Sequence, residues 1–176
     1  TPVPSSAASD VYKRQQCLVL LDKSRERRKQ GIFLVEGQRE IQLAIEGGYE
    51  IQTLFFCESL FLNNMSQFAT ATTQIIEISL EVYQKLAYRK TTEGVLAIVK
   101  TKELSLNKLE FKSKNPLILI AEAPEKPGNI GALLRSADAA NLDGFIIANP
   151  KTDLYNPNII RSCLLYTSPS PRDIGP

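Results

Sequence analysis

Between residues 16 and 162 the chain alternates short apolar runs with stretches of helical spacing, and this alternation restricts it to an α/β layer architecture. Residues 33–35, 54–57, 75–78 and 95–99 have the length and β-branched content of strands. Between them, Ile41, Leu43, Ala44 and Ile45 follow the turn at Gly37 with helical spacing, and Gly47-Gly48 supplies a stop. Ser79 can cap a second short helix running through Leu80, Val82 and Leu86. A first domain therefore spans residues 16–100.

Residues 101–115, TKELSLNKLEFKSKN, are polar and lysine-rich, which suits a linker. A second unit over residues 116–162 follows: PLILIA (116–121) reads as a buried strand, EKPGN as a turn, residues 130–140 as a helix and GFIIA (144–148) as the next strand. Strand, helix and strand in that order predict a right-handed βαβ crossover. The ends carry neither periodicity nor a core pattern. Residues 1–15 and 163–176 read as flanks, expected to be poorly ordered, and SSAASDVYKRQ and CLLYTSPSPRD resemble translated sequencing-adapter read-through. The alternative is a natural Ser/Pro-rich tail.

Composition removes several classes of chemistry. With no histidine in 176 residues, Ser/His/Asp and Cys/His nucleophilic systems and most metal centres are excluded. Cys17, Cys57 and Cys163 are odd in number and far apart, so they spell neither a disulfide framework nor a zinc site. No apolar run approaches the roughly 18 residues needed to cross a bilayer, and the expectation is a cytoplasmic protein without a membrane partner. A net charge of +2 says nothing about nucleic acid, so local clusters matter instead.

The densest cluster is Lys23, Arg25, Arg27, Arg28 and Lys29, followed at once by the strand FLVEG. Five positive charges within seven residues can track a phosphate backbone, or can simply be a solvated helix face. Arg89-Lys90, after Tyr83 and Tyr88, forms a second patch in which a ring could stack on a base. In the second unit Ile130, Leu133, Leu134, Ala137 and Ala140 form one helical stripe, with Arg135 on the other side among Gly131, Ala132 and Ala139. Those small residues would admit a ligand, RNA or another subunit. Arg135 suits phosphate or ribose, although a solvated surface arginine is the plainer reading; Asn129 reads equally as an N-cap. The segment has neither GxGxxG nor GxxxxGK[ST].

The chain resembles the SpoU-type RNA methyltransferases of the knotted SPOUT class from about residue 21 to 162. DKSRERRKQGIFLVEGQREI looks like that family's ribosomal-protein-like α/β RNA-binding domain, and Arg39 within it joins the candidate RNA contacts. LILIAEAPEKPGNIGALLRSADAANLDGFIIANPKTDLYNPNIIRS resembles the first catalytic motif: a Pro-Gly-Asn-x-Gly turn, an arginine six residues past the asparagine, and a closing D-x-Y-N-P. Asn129 and Arg135 stand at the family's functional asparagine and arginine. The resemblance implies methyl transfer from S-adenosylmethionine to a ribose 2′-hydroxyl of structured RNA, ribosomal or transfer, by a homodimer. It also implies that the knotted, cofactor-holding motifs would follow Ser162, so that this chain carries only the first part of the α/β knot. The runner-up from the residues alone is a non-catalytic RNA-binding module over residues 21–100.

Overall fold

The computed structural model of the chain describes residues 7–61, 63–87, 93–111, 113–163 and 173–174, and divides into two compact units between Thr101 and Lys102. Unit 1 is a four-stranded sheet in the order β1-β4-β2-β3, formed by Ile32–Glu36 (β1), Ile51–Phe56 (β2), Gln74–Glu77 (β3) and Val95–Lys100 (β4). β4 is antiparallel to both neighbours, with Leu34 opposite Ile98 and Leu54 opposite Ala97, while β3 joins β2 in parallel. Every residue of β4 but the last is buried, because helices cover both sheet faces. On one face Ile32, Leu34, Phe55, Leu96 and Ile98 pack with Cys17 and Leu20 of α1 (Ala7–Asp22) and with Tyr83 and Leu86 of α4 (Leu80–Leu86). The alternate residues, Phe33, Val35, Leu54, Ala97 and Val99, are buried on the other face, against which α3 (Gln38–Glu46) sets Ile41 and Ala44.

Local chemistry sets the helix ends. Ser79 Oγ accepts the Val82 N–H at 3.4 Å and caps α4, as its position in the sequence predicts. Gly37, in the V-E-G turn, holds φ +105°, and a Cβ there would meet the buried Glu40 carboxylate at 2.5 Å, so only glycine fits. Residues 7–15, expected as an unstructured flank, instead continue α1. Once Cys17 and Leu20 are docked, each further residue adds a hydrogen bond without a new nucleation cost, and the helix extends although Val11 and Tyr12 are exposed.

Unit 2 begins inside the stretch expected as a linker. The Tyr155 hydroxyl accepts the Lys102 N–H at 2.9 Å and donates to the Lys102 carbonyl at 3.2 Å. The Phe111 ring lies 3.1 Å from where a Gly144 Cβ would stand, so residues 102–111 pack on this unit rather than float between domains. Its strands are β5 (Ile118–Glu122), β6 (Gly144–Ala148) and the two-residue β7 (Asp173–Ile174), parallel and in that order. β7 lies within the expected C-terminal flank. α5 (Pro127–Ala139) connects β5 to β6, and α6 (Pro157–Cys163) packs against α5. Among the described residues no helix is long and apolar enough to cross a membrane.

Candidate functional site

The carboxyl ends of β5 and β6 lie side by side, and each strand is followed by a residue in the left-handed region that L side chains rarely adopt: Ala123 at φ +45° and Asn149 at φ +51°. The two ends are laced together, Ala123 N–H donating to the Ala148 carbonyl at 2.8 Å and Asn149 Nδ2 to Glu122 Oε1 at 2.8 Å. In open parallel sheets this edge is where ligands bind. Glu122 and Asn149 are not marked by any spacing in the sequence. The signal available is their place at the end of each apolar run.

α5 starts from this edge. Its N-cap is Lys126, with Pro127 at the first helical position, so Asn129 is the third residue of the helix rather than its cap. Pro127 explains the earlier start, since a helix tolerates proline where no N–H is required. The Asn129 side chain is exposed and makes no hydrogen bond among the described residues.

Three faces of α5 have different neighbours. Ile130, Leu134 and Ala137 are buried, and α5 packs against β6, whose Phe145 and Ile147 are buried as well. Ala132, Ser136 and Ala139 are exposed. On the third face Gly131 and Arg135, one turn apart, meet α6. Gly131 is buried, and a Cβ on it would collide with the Ser162 side chain, its Oγ 3.0 Å away. Arg135 Nη1 donates to the Ser162 carbonyl at 3.2 Å and the side chain is half-buried, so it is not a freely solvated arginine. What approaches the helix at Gly131 is thus α6 of the same chain, not the ligand, RNA or second subunit considered from the sequence.

The closing D-x-Y-N-P motif builds α6. Asp153 Oδ1 accepts the Tyr155 N–H at 3.1 Å and the Asp153 carbonyl accepts the Asn156 N–H at 3.0 Å. Asn156 Oδ1 then accepts the Asn158 N–H at 2.9 Å, serving the first turn. The structure brings Arg135 to Ser162 and leaves Asn129 at the helix start, about 120° away around an axis of 3.6 residues per turn.

In unit 1 the basic run forms α2 (Ser24–Gln30) with Lys23 as its N-cap residue. Arg25, Arg28 and Lys29, at i, i+3 and i+4, share one exposed face, and Lys23 is exposed beside them. Arg27 departs from the expected five-charge surface. It is 2% exposed, and its Nη1 donates to the carbonyls of Leu20 at 2.6 Å and Leu21 at 3.2 Å, at the end of α1. A guanidinium there satisfies orphan carbonyls and complements the negative helix terminus, which removes Arg27 from the candidate RNA contacts. Arg39 is exposed in the first turn of α3. Arg89 and Lys90 lie outside the described residues.

Comparison with known proteins places both units. Residues 15–97 match the family described as MRM3-like substrate binding domain, and residues 116–168 match the SpoU rRNA Methylase family. Among curated proteins, the chain is 30% identical over 181 residues to a 23S rRNA (uridine(2479)-2′-O)-methyltransferase of Streptomyces viridochromogenes, covering 100% of this chain and 63% of that protein. It is 26% identical to the human mitochondrial rRNA methyltransferase 3, covering 85% of this chain and 37% of that one. The fold matches the crystal structure of the SpoU methyltransferase AviRb from Streptomyces viridochromogenes in complex with AdoMet, with TM-score 0.79, 27% identity, and coverage of 93% of this chain and 62% of that one. A crystal structure of an RNA 2′-O ribose methyltransferase matches with TM-score 0.74 at 31% identity, over 100% of this chain and 66% of that one. The chain thus spans less than two thirds of the length of these relatives. A segment matching the MRM3-like substrate binding domain followed by one matching the SpoU rRNA Methylase family makes the chain similar to SpoU methyltransferases over both of its units.

Proposed function

We propose that this chain supplies the RNA-binding domain and the first catalytic segment of an RNA 2′-O-ribose methyltransferase, which moves a methyl group from S-adenosylmethionine to a ribose 2′-hydroxyl of ribosomal RNA. The observation that carries the reading is the placement of Arg135. It stands on a helix leaving the ligand-binding edge of a parallel sheet, in a chain whose relatives include proteins named as rRNA 2′-O-methyltransferases. A ribose hydroxyl is a poor nucleophile, and a guanidinium that holds the adjacent phosphate and faces the oxygen as it loses its proton lowers the barrier by positioning and by charge. Arg135 takes that role, with Asn129 toward the ribose. The exposed face of Lys23, Arg25, Arg28 and Lys29, with Arg39, grips the backbone of structured RNA elsewhere.

The described residues do not by themselves fit S-adenosylmethionine. A cofactor of that size needs walls on more than one side. Here β5 is an edge strand with Ile120 64% exposed, and the polar groups described at the strand ends, Glu122 and Asn149, are bonded to each other. The reading includes a cytoplasmic homodimer.

The test is transfer of labelled methyl from S-adenosylmethionine to ribosomal RNA by the intact gene product, the product being read as ribose methylation through resistance to alkaline cleavage. Arg135→Ala should lower the rate by roughly 10²-fold or more while leaving the fold in place. Methyl found on bases rather than ribose would overturn the reaction class, and a parental rate in Arg135→Ala would overturn the residue's role.

A further inference from the structure

Arg135 serves the proposed reaction best when its guanidinium is held in one orientation, and the structure gives it one anchor. The carbonyl of Ser162 accepts one Nη1 hydrogen bond from Arg135. Ser162 can lie that close because Gly131, one turn earlier on the same face of α5, has no Cβ: a methyl group there would fall inside the van der Waals radius of the Ser162 side chain. The hydroxyl of Ser162 is turned back to the Asn158 carbonyl at 2.7 Å, so it is its main chain that faces Arg135. The turn that starts α6 is fixed in turn by Asp153 and Asn156. A guanidinium with one donor anchored to a main-chain carbonyl has fewer orientations open to its remaining donors, which favours the fork that bidentate phosphate recognition requires.

We propose that Ser162 is a positioning residue for Arg135, and that Gly131 is required so that α6 can approach closely enough for the Ser162 carbonyl to lock the guanidinium toward RNA phosphate. This rests on the reading of Arg135 as an RNA contact. It assigns the small residue at 131 a task distinct from ligand access, and gives the D-x-Y-N-P turn the task of setting α6 against α5.

The experiment uses the whole chain, isotopically labelled, with the Arg135 side-chain resonances assigned by their loss in Arg135→Lys. In the parent, the guanidinium N–H signals should be resolved at low temperature, as hindered rotation requires. Oligouridylate, added as a single-stranded phosphate probe, should shift them. Gly131→Ala should collapse these signals into the averaged position of a free arginine and weaken the probe's effect at Arg135 fivefold or more. Gly131→Ala combined with Ser162→Gly leaves the added methyl facing the Ser162 Cα at 3.7 Å, an ordinary van der Waals distance, with the carbonyl retained, so it should restore both. If Gly131→Ala alone does not fold, the double variant and the parent spectrum still decide. Averaged Arg135 signals in the parent, or no recovery in a folded double variant, overturn the proposal. Equal probe affinity at Arg135 in parent and folded Gly131→Ala also overturns it while leaving the RNA contact standing. Oligouridylate leaving resolved Arg135 signals unmoved overturns the RNA contact itself, and the positioning role with it.

Discussion

Arg27 Nη1 donates to the carbonyl oxygen of Leu20 at 2.6 Å inside the fold, while Arg28, its neighbour in sequence, is exposed. Two adjacent arginines in one basic run therefore answer to different tests. Arg27→Ala takes this donor away from the last carbonyls of α1 in a buried setting, and should cost about 2–4 kcal/mol of stability. Arg27→Lys, with a single ammonium in place of the fork, should recover only part of it. Urea denaturation followed by far-ultraviolet circular dichroism measures both, and a change within experimental error for Arg27→Ala would show that the guanidinium is not structural.

Arg25, Arg28 and Lys29 share the outer face of α2, so their joint replacement by Ala should leave the urea midpoint almost unchanged. RNA affinity should fall, and the slope of log K against log salt should flatten by roughly 0.7 for each phosphate no longer neutralised on single strands, about 2 for all three. Fluorescence anisotropy across a salt series gives the slope. An unaltered slope would mean that this face is merely solvated.

Tyr155 serves both main-chain groups of Lys102 with one hydroxyl. Tyr155→Phe keeps the ring and removes the hydroxyl bridge from a partly buried N–H and carbonyl, at a cost of about 1–3 kcal/mol. Hydrogen exchange should accelerate at the Lys102 amide, with little change at the amides of β4. Uniform acceleration across both units would contradict a local role.

Burial pushes the Cys17 thiol up to about 12, from an ordinary value of 9.0. The folded-state value is the raised one, so the contribution to stability is complete below about pH 9, where the unfolded thiol is still protonated. It is lost as pH rises toward 12, because the unfolded chain can ionise and the folded one cannot, at up to about 1.4 kcal/mol per pH unit. Cys17→Ala should lower stability at pH 8 by loss of packing, yet show a shallower decline from pH 9 to 11 than the parent. Parallel declines would mean that the thiol ionises equally in both states.

The elements legible in the sequence are those whose burial pattern is periodic or continuous. β4 and β6 read as apolar runs because both faces are covered or nearly so, and α3 and α4 have their glycine stop and serine cap. What cannot be read depends on tertiary partners. Nothing in SRERRKQ distinguishes Arg27 from Arg28 until the end of α1 is known to lie beside it. The start of α5 at Pro127, ahead of the helix expected from residue 130, is a signal that the proline itself carries. The tenant of the Gly131 face is not legible, because Ser162 is 31 residues away and a small residue announces close approach without saying to what. In the same way, the extension of α1 through residues 7–15 has no apolar stripe to announce it.

Among the described residues, the sheet of unit 2 is covered on one face by α5 and only in part on the other, where Phe111 packs at Gly144. Phe145 and Ile147 of β6 are buried, and α5 packs against this strand. By the alternation of a strand, Ile120 and its register partner Ile146 point to the opposite face, where Ile120 is 64% exposed; Leu117, just before the strand, is 62% exposed. Parallel sheets are normally covered on both faces, and β5 is also an edge strand whose outer hydrogen-bonding groups face no partner strand among the described residues. An apolar patch beside an open edge is adhesive, so this chain should self-associate as its concentration rises. Replacing Leu117 and Ile120 by Lys puts charge on the two exposed apolar side chains of this edge while leaving Phe145 and Ile147 in place. It should abolish the concentration-dependent rise in sedimentation coefficient while shifting stability by no more than about 0.5 kcal/mol, as for surface substitutions generally. If the doubly substituted chain still associates as the parent does, the exposed apolar side chains of this edge are not the cause. A single sharp dimer species in the parent, insensitive to the substitutions, would place the association surface elsewhere.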